Sequence, residues 1–172
     1  MAKVFIYPAT SLMLSDLVAR FGHTPLGSSV SIREHVQTPG FDSPPLQMTS
    51  EDPQKGLKWA AVEVPSGIRG RMSLYGPLVE EAEATIIISE PDLAFGCMGC
   101  ARTNELLAFM LREKDIPRLE LRYPKSREEG VTFVAQIKEF LAGLDGAQTP
   151  AKAAPAKKAA AKKPAAKKGG KK

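Results

Sequence analysis

Apolar positions along the chain follow two different periods. Lys3–Tyr7 (KVFIY) is a short run of β-branched and aromatic residues, which is typical of a strand. The next segment repeats its apolar residues at helical spacing and ends in Gly22, so it predicts an amphipathic helix with a C-terminal glycine. The apolar stripe of this helix is Leu14, Leu17, Val18 and Phe21.

The same two patterns alternate further along the chain. Residues 57–64 (LKWAAVEV), 84–89 (ATIIIS) and 118–123 (RLELRY) are predicted strands, and the unbroken apolar run in 84–89 indicates burial on both faces. Residues 104–114 (NELLAFMLREK) follow as a helix. The spacing in 72–82 is only partly helical, because a Gly-Pro pair within it favours a delayed or broken helix.

The last predicted helix begins at Ser126, and Glu129 stands three residues later, as in a capping box. Its buried stripe is Phe133, Ile137, Phe140, Leu141 and Leu144. A weaker helix is expected over 29–36. Residues 38–56 are dense in proline and polar residues, and such long loops often carry function or a partner contact.

Strands separated by helical segments indicate the α/β class. We expect one domain over 1–147, with three layers: a mainly parallel sheet of about four strands and helices on both faces. Residues 148–172 contain only Ala, Lys, Pro, Gly, Gln and Thr, so they cannot bury enough apolar surface to order and are expected to form a disordered tail.

The tail also accounts for the basic charge of the chain. Removing its nine lysines from the formal net charge of +5 leaves −4 on the body. These lysines are Lys152, Lys157, Lys158, Lys162, Lys163, Lys167, Lys168, Lys171 and Lys172. We interpret the tail as a solvated extension, with a non-specific polycation for nucleic acid or an acidic surface as the alternative.

Composition points to a soluble, cytoplasmic protein. No run approaches the roughly 18 apolar residues of a membrane helix, and the N-terminus lacks the pattern of a secretory signal. Two cysteines are too few for a secreted disulfide scaffold. In a reducing compartment, a close pair of thiols more often binds a metal or performs redox chemistry.

Both cysteines lie in FGCMGCARTNEL (95–106), just beyond the strand predicted at 84–89. Ligands of open α/β sheets bind outside the carboxyl ends of strands, so Cys97 and Cys100 are expected at the functional edge. Gly96 and Gly99 allow a close backbone approach, and the start of the next helix favours thiolate over thiol. Arg102 and Asn104 could hydrogen-bond a bound group, although capping by Thr103 or Asn104 explains them more simply.

Two thiolates are not a complete metal site, because zinc and cubane sites usually take four ligands. We therefore expect a second copy or a partner protein to complete the site. A dithiol–disulfide oxidoreductase needs no further ligand and is the main chemical alternative, and two cysteines that only pack in an interaction protein are the third. Arg69 and Arg71, in VPSGIRGRM, either bind an anion or belong to an exposed glycine-rich turn.

Five stretches resemble the methanogenesis marker 5 proteins of methane-producing archaea, over about residues 3–144. They are KVFIYPATSLMLSDLVARFGHTPL, DSPPL, EVPSGIRGRM, GPLVEEAEA and FGCMGCARTNEL. The resemblance implies a place beside methyl-coenzyme M reductase, in an ATP-dependent activation assembly that contains iron–sulfur centres. It implies that Cys97 and Cys100 bind, or relay electrons through, an iron–sulfur cluster shared with a partner chain, in preference to zinc. A homo-oligomer is possible, and neither a membrane nor specific nucleic-acid binding is expected.

Overall fold

The computed structural model describes residues 1–27, 48–89 and 98–146, apart from the side chains of 98–100 and 145–146. Its elements in chain order are β1 (Lys3–Tyr7), α1 (Leu12–Arg20), β2 (Thr24–Leu26), α2 (Asp52–Lys55), a 3-10 turn (Gly56–Lys58), α3 (Ser66–Glu81), β3 (Ala84–Ile88), α4 (Met98–Glu113), β4 (Arg118–Leu121) and α5 (Arg127–Gly146).

The four strands form one parallel sheet in the order β2-β1-β3-β4. Successive side chains of a strand point to opposite faces, so the sheet has a core on each side. Phe5, Tyr7 and Ile87 pack against α3 and α4, whereas Ile6 and Ile86 pack against α1 and α5. The α/β class and the three layers expected from the sequence are confirmed.

β3 is the best-buried strand of the described sheet, since all five of its residues are buried. It lies between β1 and β4, and Thr85 Oγ1 donates a 3.1 Å hydrogen bond to the carbonyl of Phe5. The lack of alternation in its sequence follows from this position, because helices cover both faces.

The predicted first and last helices are present with their predicted apolar stripes. Gly22 ends α1 with a φ of 85°, a conformation that favours glycine. At the start of α5, Ser126 Oγ accepts from the Glu129 N–H at 3.1 Å. The Glu129 carboxylate accepts from the N–H of Lys125 at 2.7 Å, one residue before its usual partner in a capping box.

The strand predicted at 57–64 is wrong. Residues 56–58 form the 3-10 turn, and Trp59 packs against the α3 backbone at Gly76. Residues 24–26 supply the fourth strand instead. Part of the loop predicted at 38–56 is also helical, as α2. The helix predicted at 29–36, residues 38–47 and the tail 148–172 lie outside the described residues.

α3 runs without a break through Gly76-Pro77, contrary to the sequence expectation. Four buried residues hold it to the sheet at helical spacing: Ile68, Met72, Tyr75 and Val79. At its C-terminal end, Lys114 Nζ donates to the carbonyls of Val79, Glu80 and Ala82 at 2.7, 2.8 and 2.9 Å. This ammonium group satisfies carbonyls that have no partner within the helix. Burial lowers the Lys114 pKa below its ordinary value.

No helix in the described ranges combines the length and the apolar character needed to cross a bilayer.

Candidate functional site

The order of the strands places a topological switch point between β1 and β3. The chain leaves β1 towards β2 on one side, and β3 leads to β4 on the other. α1 and α4, which follow β1 and β3, therefore cover opposite faces of the sheet. A crevice outside the carboxyl ends of two such strands is where ligands of doubly wound folds bind.

In the chain, the cysteine motif follows β3 and overlaps the start of α4. The helix begins at Met98, four to six residues earlier than the sequence predicted, so Gly99 and Cys100 belong to its first turn. Cys97 directly precedes the helix and, like Gly96, lies outside the described residues. A 16-residue helix presents free N–H groups and the positive end of its dipole at this point, and both stabilise a thiolate.

The two residues proposed to support a bound group lie differently around α4. Asn104 is four residues after Cys100 and so lies on the same side of the helix, whereas Arg102 is about 200° away around the axis. Asn104 is half-buried and Arg102 is exposed. The capping role considered for Thr103 or Asn104 is wrong, because α4 begins several residues earlier and Thr103 is buried inside it.

Arg69 and Arg71 lie within α3, far along the chain from the cysteine motif. Arg69 Nε donates to the Val64 carbonyl at 3.0 Å, and its Nη1 donates to the Pro53 carbonyl at 3.1 Å. Arg71 Nη1 donates to the carbonyl of Gly67 at 2.9 Å. These residues thus form a helix, and the exposed glycine-rich turn considered from the sequence is wrong. The Arg69 guanidinium connects the preceding segment to this helix. Anion binding by either arginine stays a prediction.

An open pocket of about 360 Å³ lies at the same edge of the sheet, between the ends of β1 and β3 and the side of α4. Its lining includes Tyr7 and Ser89 at the strand ends and Glu105, Phe109 and Arg112 on α4. The sequence offered one signal for it: Tyr7 and Ser89 are the last polar residues of two predicted strands.

A small polar network borders this pocket. Glu120 on β4 accepts from Arg112 Nε at 3.1 Å and from Ser89 Oγ at 3.2 Å, and it lies 3.2 Å from Arg118 Nε. Burial raises the pKa of Tyr7, a nearby Glu105 carboxylate raises it further, and Arg112 opposes the change. The network fixes the side of α4 against β4.

His23 follows Gly22 after the first helix and is a buried residue. It is 2% exposed, and its Nδ1 accepts from the backbone N–H of Ala2 at 3.2 Å. It precedes β2 directly, so the sheet carries it inward. Within the described side chains, no group of three or more His, Cys, Asp or Glu residues is close enough to hold a metal ion.

No solved structure matches this chain. Uncharacterized protein MJ0404 of Methanocaldococcus jannaschii is 55% identical over 148 residues, which span 86% of this chain and 99% of that protein. A family model matches residues 2–144, nearly the whole described body. The chain therefore belongs to the family described as "Uncharacterized protein conserved in archaea (DUF2112)".

Proposed function

We propose that this chain is a non-catalytic, cytoplasmic accessory subunit of the assembly that activates methyl-coenzyme M reductase. In this proposal, Cys97 and Cys100 supply two thiolate ligands to an iron–sulfur cluster, and a partner chain supplies the others. The family is archaeal, in agreement with the setting that the sequence resemblance implied. The observation that carries the proposal is the start of α4, with Cys100 in its first turn, beside the switch point of the sheet.

The residues present fit half of a cluster site. Cys97 and Cys100 are three residues apart in the sequence, and Cys100 lies in the first turn of α4. Free N–H groups of the first turn can donate hydrogen bonds to thiolate sulfur or to a sulfide. Gly99 adds no side chain between the two ligands. When bound, the cluster would supply one-electron transfer, and the protein would set its potential through these hydrogen bonds and through solvent access.

Asn104 is the better placed of the two proposed supporting residues, because it shares a side of α4 with Cys100. Its amide can donate a hydrogen bond towards a group held at the helix start. Arg102, on the other side and exposed, is better placed for contact with a partner surface.

Anaerobic isolation of the chain with its partners tests the proposal. Iron and acid-labile sulfide are measured for the wild type, Cys97→Ser and Cys100→Ser, and the recovery of each partner is quantified at the same time. Met98→Leu, which leaves both thiols in place, is the matched control. We expect the two serine variants to lose most of the iron while the partners are still recovered. Iron content equal to that of the wild type, in an intact complex, would exclude ligation.

A dithiol–disulfide oxidoreductase is the second candidate, favoured by the position of Cys100 in the first turn of α4, because a helix N-terminus favours the thiolate that exchange chemistry needs. It predicts a reversible disulfide between Cys97 and Cys100. Thiol trapping across a series of redox buffers separates the candidates, since a chain without a measurable disulfide state cannot be such an enzyme.

A further inference from the structure

β4 is an edge strand of the described sheet, and its Arg118 and Glu120 carry opposite charges two residues apart. We propose that this edge pairs with β4 of a second copy of the chain, antiparallel, around a two-fold axis that passes through Leu119. The inference is independent of the proposed function.

The hydrogen bonds between β3 and β4 show which backbone groups of β4 point outward. Pro117 O and Leu121 O accept from Thr85 N and Ser89 N of β3, at 3.0 and 2.7 Å. Backbone groups alternate sides along a strand, so those of Arg118 and Glu120 point away from β3. No other strand of the described chain pairs with that side. These N–H and C=O groups are therefore available for an antiparallel ladder.

The charges favour an axis at Leu119 over a shift of the axis by one residue. With the axis at Leu119, Arg118 of each copy is directly opposite Glu120 of the other, in the pairs that exchange two backbone hydrogen bonds. Leu119 then faces Leu119. Shifting the axis to Glu120 would place Glu120 opposite Glu120 and Arg118 opposite Arg122. Repulsion between these like charges would destabilise that register. Short, charged edge strands often prevent pairing, but with the axis at Leu119 the opposite charges of the two copies face each other.

A nearby aromatic side chain supports the second copy as the occupant. Phe109 is 60% exposed on α4, three residues before Arg112 and therefore on the same side of the helix. Arg112 reaches Glu120 on β4, so this side of α4 stands next to the edge. A two-fold axis perpendicular to the sheet brings the two α4 helices side by side, and each can cover the Phe109 of the other.

The pairing also has a consequence for the cysteines. Antiparallel strands place the carboxyl edges of the two sheets at opposite ends of the dimer. Cys100 is about ten residues of helix from the level of the axis, so the Cα atoms of the two Cys100 residues would lie on the order of 30 Å apart.

Sedimentation equilibrium of the full chain tests the interface. We expect the wild type to dimerise and Phe109→Asp to raise the dissociation constant by about tenfold or more. Val62→Asp, at a side chain that is 66% exposed in the turn before α3, is the matched control and should dimerise like the wild type. A monomeric wild type, or a dimer that Phe109→Asp leaves unchanged, would overturn the proposal.

Cross-linking tests the register separately. In a Cys97→Ser, Cys100→Ser background, Leu119→Cys should form a disulfide-linked dimer under mild oxidation, because facing Cα atoms in a pair of this type are about 4.5 Å apart. Leu121→Cys, at the other core-facing leucine of β4, should not. Efficient cross-linking at position 121, or none at 119 in a chain that circular dichroism shows to be folded, would refute the register.

Discussion

The indole ring of Trp59 lies directly against the backbone of Gly76. A Cβ built on Gly76 would stand 2.7 Å from Cγ of the ring and closer still to two other ring carbons. The indole Nε1 donates to Glu80 at 3.0 Å, one turn further along α3, and Lys58 pairs with the same carboxylate at 2.8 Å. This contact joins the segment before α3 to the helix.

Gly76→Ala should therefore destabilise the protein. The methyl group would displace the Trp59 ring and its hydrogen bond to Glu80, and overpacking of this kind costs about 1–3 kcal/mol. The higher helix propensity of alanine returns up to about 1 kcal/mol. We expect a net loss of about 1–2 kcal/mol in the free energy of unfolding, measured by urea denaturation.

Gly143→Ala is the matched control, because it makes the same change in α5 where, apart from the neighbouring backbone of the helix itself, no heavy atom stands within 4 Å of the new methyl group. It should leave stability unchanged or raise it by up to about 1 kcal/mol. If both variants were equally stable, the packing of Trp59 on Gly76 could not be as described.

Arg69 should matter for stability more than Arg71. Its guanidinium joins Val64 and Pro53 to α3, whereas Arg71 bonds within its own helix. Arg69→Ala should lower the free energy of unfolding by about 1–3 kcal/mol, since hydrogen bonds from a charged donor are among the stronger ones. Arg71→Ala should cost less than about 1 kcal/mol.

Phosphate titration of the same variants checks the anion hypothesis. A role in anion binding predicts that phosphate stabilises the wild type and stabilises Arg69→Ala less. Equal denaturation midpoints for the two arginine variants, with a phosphate effect that neither one removes, would contradict both the structural role and the anion site.

Ionisation of the Tyr7 phenol should lower the free energy of unfolding at alkaline pH. Burial raises its pKa above the ordinary value of 10.0, so the unfolded chain loses this proton at a lower pH than the folded chain does. The stabilisation is thus fully present below about pH 10 and is lost as the pH rises through the folded-state value. Tyr7→Phe should show a smaller decrease in unfolding free energy between about pH 9 and 11. Equal decreases in the wild type and in Tyr7→Phe would count against a raised pKa of Tyr7.

The parts of the fold that the sequence revealed are those whose side chains repeat with a clear period. β1, β3 and β4 appear as apolar or alternating runs, and the stripe of α5 places Phe133 and Ile137 on its buried side. Gly22 and Ser126 also predicted the end of α1 and the start of α5 correctly. Such elements are predictable because burial on one side imposes the period directly.

The wrong assignments have tertiary causes. Residues 57–64 resemble a strand in composition, but Trp59 is held by Gly76, about 17 residues away, which no local pattern shows. Gly76-Pro77 looked like a break, although α3 continues because Ile68, Met72 and Val79 are buried on either side of it. β2 has only three residues, too few to show alternation.

The surroundings of the cysteine motif could not be predicted from the sequence. Cys97 and Cys100 were expected at the edge after β3 because strand–loop–helix order alone places them there. The network of Arg112, Ser89 and Glu120 comes from three elements, and no spacing in the sequence links them. The early start of α4 was not predicted, because a glycine such as Gly99 is more typical of a loop than of the first turn of a helix.

The most direct test of the account is the electron paramagnetic resonance spectrum of the reduced complex, isolated without oxygen and containing this chain with its partners. If Cys100 binds the cluster, Cys100→Ser should abolish the signal or shift its g-values, because oxygen replaces sulfur on iron, while Met98→Leu should leave the spectrum unchanged. A wild-type complex with a cluster whose spectrum Cys97→Ser and Cys100→Ser both leave identical would contradict the proposed role of this cysteine pair.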